Sequence, residues 1–311
     1  MNTIVLHHYP ASPFAEKARL MLGYKGLTWK SVFIPMVMPK PDVMALTGGY
    51  RKTPILQVGA DIYCDTALIA QALDELAPEP PLLPAAVQGL AGPLAQWADA
   101  TLFWASMSYS TQAAGMAQMF AKATPQAMQS FAEDRKAMGA GMPRPRPADA
   151  TGAYKTYLQR LAQMLKSGPY LLGQQPSVAD FAAYHPLWFT RSQTPVMAGI
   201  LDTAPAVLAW MDRMAAIGHG TVERYSSAQA IELARGCTPM PVDGEPLQDD
   251  HGIALGSRVT VAAESFGLEP TEGTLVAATE SRYTLARVDE RAGRLHVHFP
   301  RIGYALRAVK A

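Results

Sequence analysis

The first 80 residues most restrict the fold of this 311-residue chain, because strand-like and helix-like patterns alternate there in a distinctive order. In chain order the patterns predict a strand (3–8), a helix (14–24), a strand (27–34), a possible short helix (42–46), two strands in a hairpin (55–58 and 62–64) and a helix (67–76). The first three elements form a right-handed parallel unit, and the later ones form an antiparallel hairpin that leads into a helix.

This order of elements is the thioredoxin-like arrangement, and we assign it to residues 1–80. A linker follows at 78–84, since its prolines remove amide donors and resist continuation of a helix. Residues 85–236 then show helical periodicity, which predicts an all-helical domain. We expect its first helix over 85–122 and its last helix over 221–235.

The pattern changes again after a second proline-containing linker at 236–250. Residues 252–311 alternate between apolar and polar side chains in five short segments, which predicts a small SH3-like β-barrel. The predicted fold class is therefore α/β, then all-α, then a small β module. The sequence assigns no role to this last module.

Composition excludes several classes of protein. The formal net charge is +1, so the chain lacks the basic excess of a nucleic-acid-binding protein. No apolar run reaches the roughly 18 residues of a membrane-spanning helix, and the first residues do not resemble a secretion signal. Two cysteines make neither a disulfide framework nor a zinc site, and the histidines lack metal-ligand spacing. We expect a cytoplasmic protein without a metal.

The turn between the first strand and the first helix is a candidate anion site. Ser12 falls where the strand gives way to the helix, and Pro13 takes the first helical position. Free amides and the positive end of a helix dipole meet at such a point, so a hydroxyl there can help to stabilise an anion. The alternative is that Ser12 serves only as a helix N-cap.

Four short motifs, in this order and spacing, resemble cytosolic glutathione transferases over residues 1 to about 236. The motifs are Ser12–Lys17 with Arg19, Thr53–Leu56, Asp65–Ile69 and Ser177–Phe181. The first motif is most similar to the omega-type branch, which has Cys-Pro-Phe-Ala-Glu-Arg there, with Ser12 in place of the cysteine. The last motif is a capping box, for which we expect a structural role.

The resemblance implies a glutathione site. Asp65 would pair with the γ-glutamyl ammonium, and Thr66 would bind the carboxylate of the same group. Thr53, before a Pro54 that the resemblance predicts to be cis, would pair its backbone with the cysteinyl unit. The remaining implied contacts are Phe14 at the site and Lys40 at the glycine carboxylate, with Arg51 or Lys52 as substitutes for Lys40.

The sulfur of glutathione would then lie near Ser12, which would stabilise the thiolate without itself attacking. Tyr9 is the alternative stabiliser, because some branches of the family use a tyrosine at the end of the first strand. Replacement of the branch's cysteine argues against thiol–disulfide exchange. Aromatic and methionine side chains of the helical domain are candidates for the electrophile pocket, although such a stripe is more often part of the core: Phe103, Trp104 and Met107.

Two functions follow from the resemblance. One is a glutathione S-transferase that conjugates glutathione to a hydrophobic electrophile, as in detoxification. The alternative is a non-catalytic binding or regulatory protein that keeps the fold. The resemblance also implies a homodimer, in which the thioredoxin-like domain of one chain contacts the helical domain of the other.

Overall fold

A computed structural model describes residues 3–142, 145–242 and 244–309. Parts of the three predicted domains (1–2, 143–144 and 310–311) and residue 243 of the second predicted linker therefore lie outside the described residues. Within these ranges ten strands form one sheet in the order β10-β6-β7-β8-β9-β4-β3-β1-β2-β5. The strands are β1 (Ile4–His8), β2 (Thr28–Phe33), β3 (Ile55–Val58), β4 (Asp61–Cys64), β5 (Thr221–Arg224), β6 (Arg258–Ala263), β7 (Thr271–Ala278), β8 (Arg282–Asp289), β9 (Gly293–Pro300) and β10 (Tyr304–Ala308).

Helices occupy the first domain and the long middle of the chain. The α-helices are α1 (Pro13–Tyr24), α2 (Pro41–Thr47), α3 (Thr66–Leu76), α4 (Gln88–Trp97), α5 (Phe103–Ser110), α6 (Ala113–Met119), α7 (Pro125–Met138), α8 (Pro147–Met164), α9 (Val178–Trp188), α10 (Pro205–Ala216) and α11 (Ser227–Gly236). Ala98–Leu102 and Phe189–Gln193 are π-helical turns, and Pro195–Thr203 is a 3₁₀ helix.

The amino-terminal part confirms the predicted thioredoxin-like arrangement. Strand β1 pairs in parallel with β2 and antiparallel with β3, and β3 and β4 form the predicted hairpin. All five residues of β1 are buried, since the sheet is covered on both faces. Ile4 and Leu6 point into a core shared with α1, α3 and the helical domain, whereas Val5 points into a second core on the opposite face.

The C-terminal β module is present as the five predicted strands, and it is continuous with the first domain. Strand β9 pairs in parallel with β4, so that Asp61 lies opposite His296 and Tyr63 lies opposite His298. The second core also runs through both parts, from Val5 and Ile62 to Leu285. The module therefore extends the thioredoxin-like sheet and covers the edge of β4.

The capping box at the start of α9 confirms the structural role expected for it. The Asp180 carboxylate accepts hydrogen bonds from the amides of Ser177 (2.9 Å) and Leu171 (2.8 Å) and from the indole of Trp210 (3.0 Å). Asp180 is fully buried, so these three donors replace the water that the carboxylate has lost.

Two predicted helices were wrong in extent. Residues 221–235 were expected as one helix, but Thr221–Arg224 forms β5, which pairs in parallel with the free edge of β2. Helix α11 starts only after Ser226, whose hydroxyl accepts the amide of Gln229. Residues 85–122 were expected as one helix, but α4, a π-helical turn, α5 and α6 share this segment. At residues 221–224 the pairing with β2 overrides local helical propensity.

A buried histidine in β1 gives the fold an expected pH dependence. His7 is 1% exposed and hydrogen-bonded to Gln57, and burial lowers its pKa from 6.5 to about 4. The unfolded chain therefore binds the extra proton below pH 6.5, and the contribution of His7 to stability is lost as the pH falls towards 4. We expect this loss to reach about 3 kcal/mol.

Chemical denaturation at a series of pH values measures this effect. The His7→Asn variant should show a flatter decline in unfolding free energy over this pH range than the wild type, whereas the exposed His251→Asn should not. An unchanged slope in His7→Asn would contradict the assignment.

Candidate functional site

Ser12 lies at the N-terminus of α1 and is 2% exposed. Its Oγ accepts the amide of Ala15 at 3.2 Å, which leaves the hydroxyl proton free to be donated. The loop before it is held by Arg19, which donates to Pro10 O at 3.1 Å and pairs with Glu16 at 2.7 Å. The buried Glu16 and Arg19 of the first motif thus fix the position of the serine.

Asp65 and Thr66 begin α3. Asp65 has φ 77° and ψ 140°, a backbone conformation that non-glycine residues rarely adopt and that is concentrated at functional sites. Its Oδ1 accepts the amide of Ala67 at 3.0 Å, and its Oδ2 accepts the hydroxyl of Tyr304 at 2.9 Å. Thr66 is buried beside it. The two residues predicted to bind the γ-glutamyl group of glutathione therefore lie at a second helix N-terminus.

A buried lysine connects the two helices. Lys17 of α1 donates to Thr66 Oγ1 (3.1 Å) and pairs with Asp99 Oδ2 (2.5 Å). His185 Nε2 lies 3.0 Å from the other oxygen of Asp99. Burial alone would raise the pKa of Asp99, but the charge of Lys17 and the hydrogen bond from His185 lower it below its ordinary value. Asp99 is therefore ionised, and Lys17 connects α1 both to Thr66 of α3 and to Asp99 of the π-helical turn that follows α4.

Lys17 was not among the candidate residues, although a lysine on the apolar face of an amphipathic helix is a signal that the sequence contains. Charged side chains are rarely buried without a partner. Lys17 lies between Ala15 and Ala18, and all three residues are fully buried. A lysine in such an apolar stretch predicts an acidic partner elsewhere in the chain.

The Thr53–Pro54 peptide bond is cis, as expected. Lys40 is 4% exposed and its ammonium donates to Arg51 O (3.1 Å) and to Thr53 Oγ1 (3.4 Å). Burial lowers the pKa of Lys40 to about 8, so that the ammonium still predominates at neutral pH. Lys40 and Thr53 are therefore adjacent, and Pro54 is buried at the start of β3.

Helix α7 and the loop between β6 and β7 meet beside Lys40. Arg51 forms a hydrogen-bonded ion pair with Asp134 of α7, and its Nε lies 2.6 Å from Glu269 Oε1 in an ionic contact rather than a well-aligned hydrogen bond. Arg135, also in α7, donates to the hydroxyl of Tyr9 at 3.4 Å. Arg51 is thus engaged by two acidic side chains, and the Tyr9 hydroxyl faces α7.

The three candidates for the electrophile pocket occupy different environments. Phe103 is buried against Phe14, with ring centroids 4.7 Å apart. Trp104 lines an apolar cleft of about 410 Å³ between α5 and α8 and packs against Phe266 of the β6–β7 loop (5.3 Å). Met107 is half-buried and lies outside the lining of this cleft.

Neither a metal site nor a membrane span is found in the described parts of the chain. No group of three or more His, Cys, Asp or Glu side chains there could hold a metal ion, and no helix there is long and apolar enough to cross a membrane. The histidines of β1 and β9 make structural contacts instead, such as His298 Nε2 with Asp61 at 3.1 Å. Cys64 is a fully buried free thiol.

Two family profiles match the chain, one in its amino-terminal part and one in its helical middle. The glutathione S-transferase N-terminal domain matches residues 6–81, and the glutathione S-transferase C-terminal domain matches residues 126–213. A crystal structure of a GST-like protein from Pseudomonas syringae is 42% identical in sequence, with a TM-score of 0.83. The match covers 99% of this chain and 100% of that one.

The chain belongs to the glutathione S-transferase family. Because the Pseudomonas protein matches over nearly the whole length, the C-terminal module is shared with another member of the family. FtsZ-localized protein A from Caulobacter vibrioides is a more distant relative, 25% identical over 183 residues, which are 57% of this chain and 73% of that protein.

Glutathione itself is present in a structure that shares the family's fold. A theta class glutathione S-transferase from Xanthomonas axonopodis pv. citri was solved with glutathione bound; it is 20% identical, has a TM-score of 0.51, and matches 68% of this chain and 92% of its own. The residues here fit a glutathione site by their chemistry, because two helix N-termini, a carboxylate and a buried ammonium lie around one end of the sheet.

Proposed function

We propose that this protein is a glutathione transferase that binds glutathione as the thiolate and adds it to a hydrophobic electrophile. The observation that carries the proposal is the pair of helix N-termini bearing Ser12 and Asp65–Thr66, linked by the buried Lys17. One N-terminus suits a thiolate, and the other suits an α-carboxylate beside an acid that can take an ammonium. These are the two ends of a γ-glutamyl-cysteinyl unit.

Each part of glutathione has a matching group on the protein. Asp65 would pair with the γ-glutamyl ammonium, while the amide and hydroxyl of Thr66 would donate to the neighbouring carboxylate. Because the Thr66 oxygen already accepts a bond from Lys17, its proton is available to donate. Thr53 would pair with the cysteinyl backbone, and the Lys40 ammonium beside it would bind the glycine carboxylate. Phe14 would pack beside the sulfur.

The chemical step begins with loss of the thiol proton to solvent. The free thiol has a pKa of about 8.5, so at neutral pH most of it is protonated. The Ser12 hydroxyl and the N-terminus of α1 would stabilise the thiolate and lower this pKa. The sulfur lone pair then forms the S–C bond, and the leaving group departs with the electron pair of the bond that breaks. Tyr9 is the alternative donor to the sulfur.

Trp104 would line the electrophile pocket. It borders the apolar cleft and adjoins Phe103, which packs on Phe14 next to Ser12. Met107 follows one turn later on the same helix. A hydrophobic electrophile of the size of a substituted benzene is compatible with a cleft of about 410 Å³.

A non-catalytic role is the second candidate function, and the relationship to FtsZ-localized protein A favours it. The same fold would then present a surface to a protein partner, with or without bound glutathione. Conjugation of glutathione to 1-chloro-2,4-dinitrobenzene, with retention on immobilised glutathione, separates the two. Turnover above the uncatalysed rate supports the transferase; absence of both turnover and retention would overturn it.

We also place the protein in the cytoplasm as a homodimer that acts in detoxification. The dimer would pair the thioredoxin-like domain of one chain with the helical domain of the other. We assign the three domains to residues 1–80, 85–236 and 252–311. Light scattering tests the dimer, and a monomeric mass would contradict it.

Replacement of Asp65 by asparagine should weaken glutathione binding and spare the chemistry. The variant keeps the size of the side chain and loses its charge, so we expect a dissociation constant higher by about 10- to 100-fold with a nearly unchanged kcat at saturation. Isothermal titration and steady-state kinetics measure both. Glu75→Gln, an exposed acid later in the same helix, is the matched control and should bind as the wild type does.

A further inference from the structure

Tyr304 reaches from the C-terminal module to the start of α3. It is the first residue of β10, 5% exposed, and its hydroxyl donates to Asp65 Oδ2 at 2.9 Å. Strand β10 pairs with β6 at the far edge of the sheet, so that the ring is anchored by the module's own backbone. Burial raises the pKa of Tyr304 well above its ordinary value, and the neutral phenol therefore keeps the proton that it donates.

Asp65 needs a second anchor because its own helix holds only one of its oxygens. Oδ1 caps α3 through Ala67, and the backbone at Asp65 is in the left-handed half of conformational space. Without Tyr304 the carboxylate would be held only by its hydrogen bond from the Ala67 amide and could rotate about it. With both oxygens engaged, the plane of the carboxylate is fixed before a ligand arrives, and such preorganisation reduces the ordering cost of binding.

The same ring also places a cation close to Asp65. The ammonium of Lys52 lies 4.8 Å from the ring centroid of Tyr304 and 5.4 Å from that of Tyr50. Both distances are within the range of cation–π attraction. The β6–β7 loop lies against this lysine, because a Cβ added at Gly267 would come within 3.2 Å of Lys52 Cγ. The same loop is held to α7, where the Gly267 amide donates to Met138 O at 3.0 Å. Two parts of the module thus border the site.

We propose that Tyr304 is a positioning residue of the glutathione site, which orients Asp65 towards the γ-glutamyl ammonium. This inference rests on the proposed function. It assigns a role to the C-terminal module, which supplies part of the ligand site rather than a separate docking unit. The group recognised through this contact is the free α-amino group of the peptide.

Removal of the hydroxyl alone tests this role. Tyr304→Phe keeps the ring, its packing and the cation–π contact, and it removes only the hydrogen bond to the carboxylate. We expect the dissociation constant for glutathione to rise about tenfold. Tyr283→Phe is the matched control: another buried tyrosine of the module whose ring faces Arg301, and for which we expect no change.

A ligand without the amino group distinguishes positioning from a general effect on the fold. N-glutaryl-cysteinyl-glycine lacks the ammonium, so its affinity should be nearly the same for the wild type and Tyr304→Phe. A double-mutant cycle with Asp65→Asn should show that the two substitutions are not additive.

Three results would overturn the inference. Unchanged glutathione affinity in Tyr304→Phe, equal weakening for glutathione and the glutaryl analogue, or strict additivity in the cycle would each show that the tyrosine does not act through Asp65. A wild-type chain that binds no glutathione is a different result, because it overturns the proposed function and this inference with it.

Discussion

Replacement of Ser12 by alanine is expected to lower kcat/KM for conjugation by about 10²- to 10³-fold, the usual effect of removing one donor to a developing or stabilised anion. The affinity for glutathione should change little, since Asp65, Thr66 and Thr53 hold the peptide. The pKa of the thiol group of bound glutathione should rise towards that of the free thiol, about 8.5. At neutral pH less thiolate would then be present on the enzyme.

The ultraviolet absorbance of the bound thiolate, followed against pH, measures this change directly. Loss of the Ser12 cap on Ala15 also costs stability, about 1 kcal/mol, which a denaturation curve reports separately. Ser12→Thr retains the hydroxyl and should recover most of the activity. Tyr9→Phe is the decisive comparison: a larger loss there than in Ser12→Ala would assign the thiolate contact to Tyr9.

Replacement of Phe299 by alanine is expected to destabilise the whole amino-terminal sheet by about 3–5 kcal/mol, although Phe299 belongs to the C-terminal module. Its ring is 1% exposed and lies 6.0 Å from Tyr50 in the core that also contains Val5 and Ile55. Since β9 pairs with β4, the two parts of the sheet should unfold together.

Amide hydrogen exchange measures how far this destabilisation spreads. In Phe299→Ala the amides of β3 and β4 should lose protection together with those of β8 and β9. The matched control is Ile302→Ala, a 70% exposed residue of the same module, which should change the unfolding free energy by less than about 0.5 kcal/mol. Protection in β3 that is unaffected by Phe299→Ala would show that the module unfolds independently.

Much of the local structure could be predicted from the sequence, because it depends on neighbours in the chain. The apolar run that begins β1 and the N-cap of α1 at Ser12 are examples, as is the capping box at Ser177. The order of these elements also led to the family. The candidate site residues at the helix N-termini, Ser12 and Asp65, were predictable for the same reason, because each lies where a strand is followed by a helix.

Contacts between distant segments could not be predicted in this way. The pairing of β4 with β9 joins residues far apart in the chain, and no periodicity encodes which edge strand accepts a partner. The strand of residues 221–224 was taken for helix for the same reason, since it is stabilised by the edge of β2. Tyr304 was missed because its hydrogen bond with Asp65 lies across this unpredicted interface.

A crystal structure with glutathione bound tests the proposed site most directly. The proposal predicts the sulfur within roughly 3.5 Å of Ser12 Oγ, the γ-glutamyl ammonium on Asp65 and the glycine carboxylate near Lys40. A sulfur that contacts the Tyr9 hydroxyl instead, or a peptide that leaves Asp65 unbound, would contradict it.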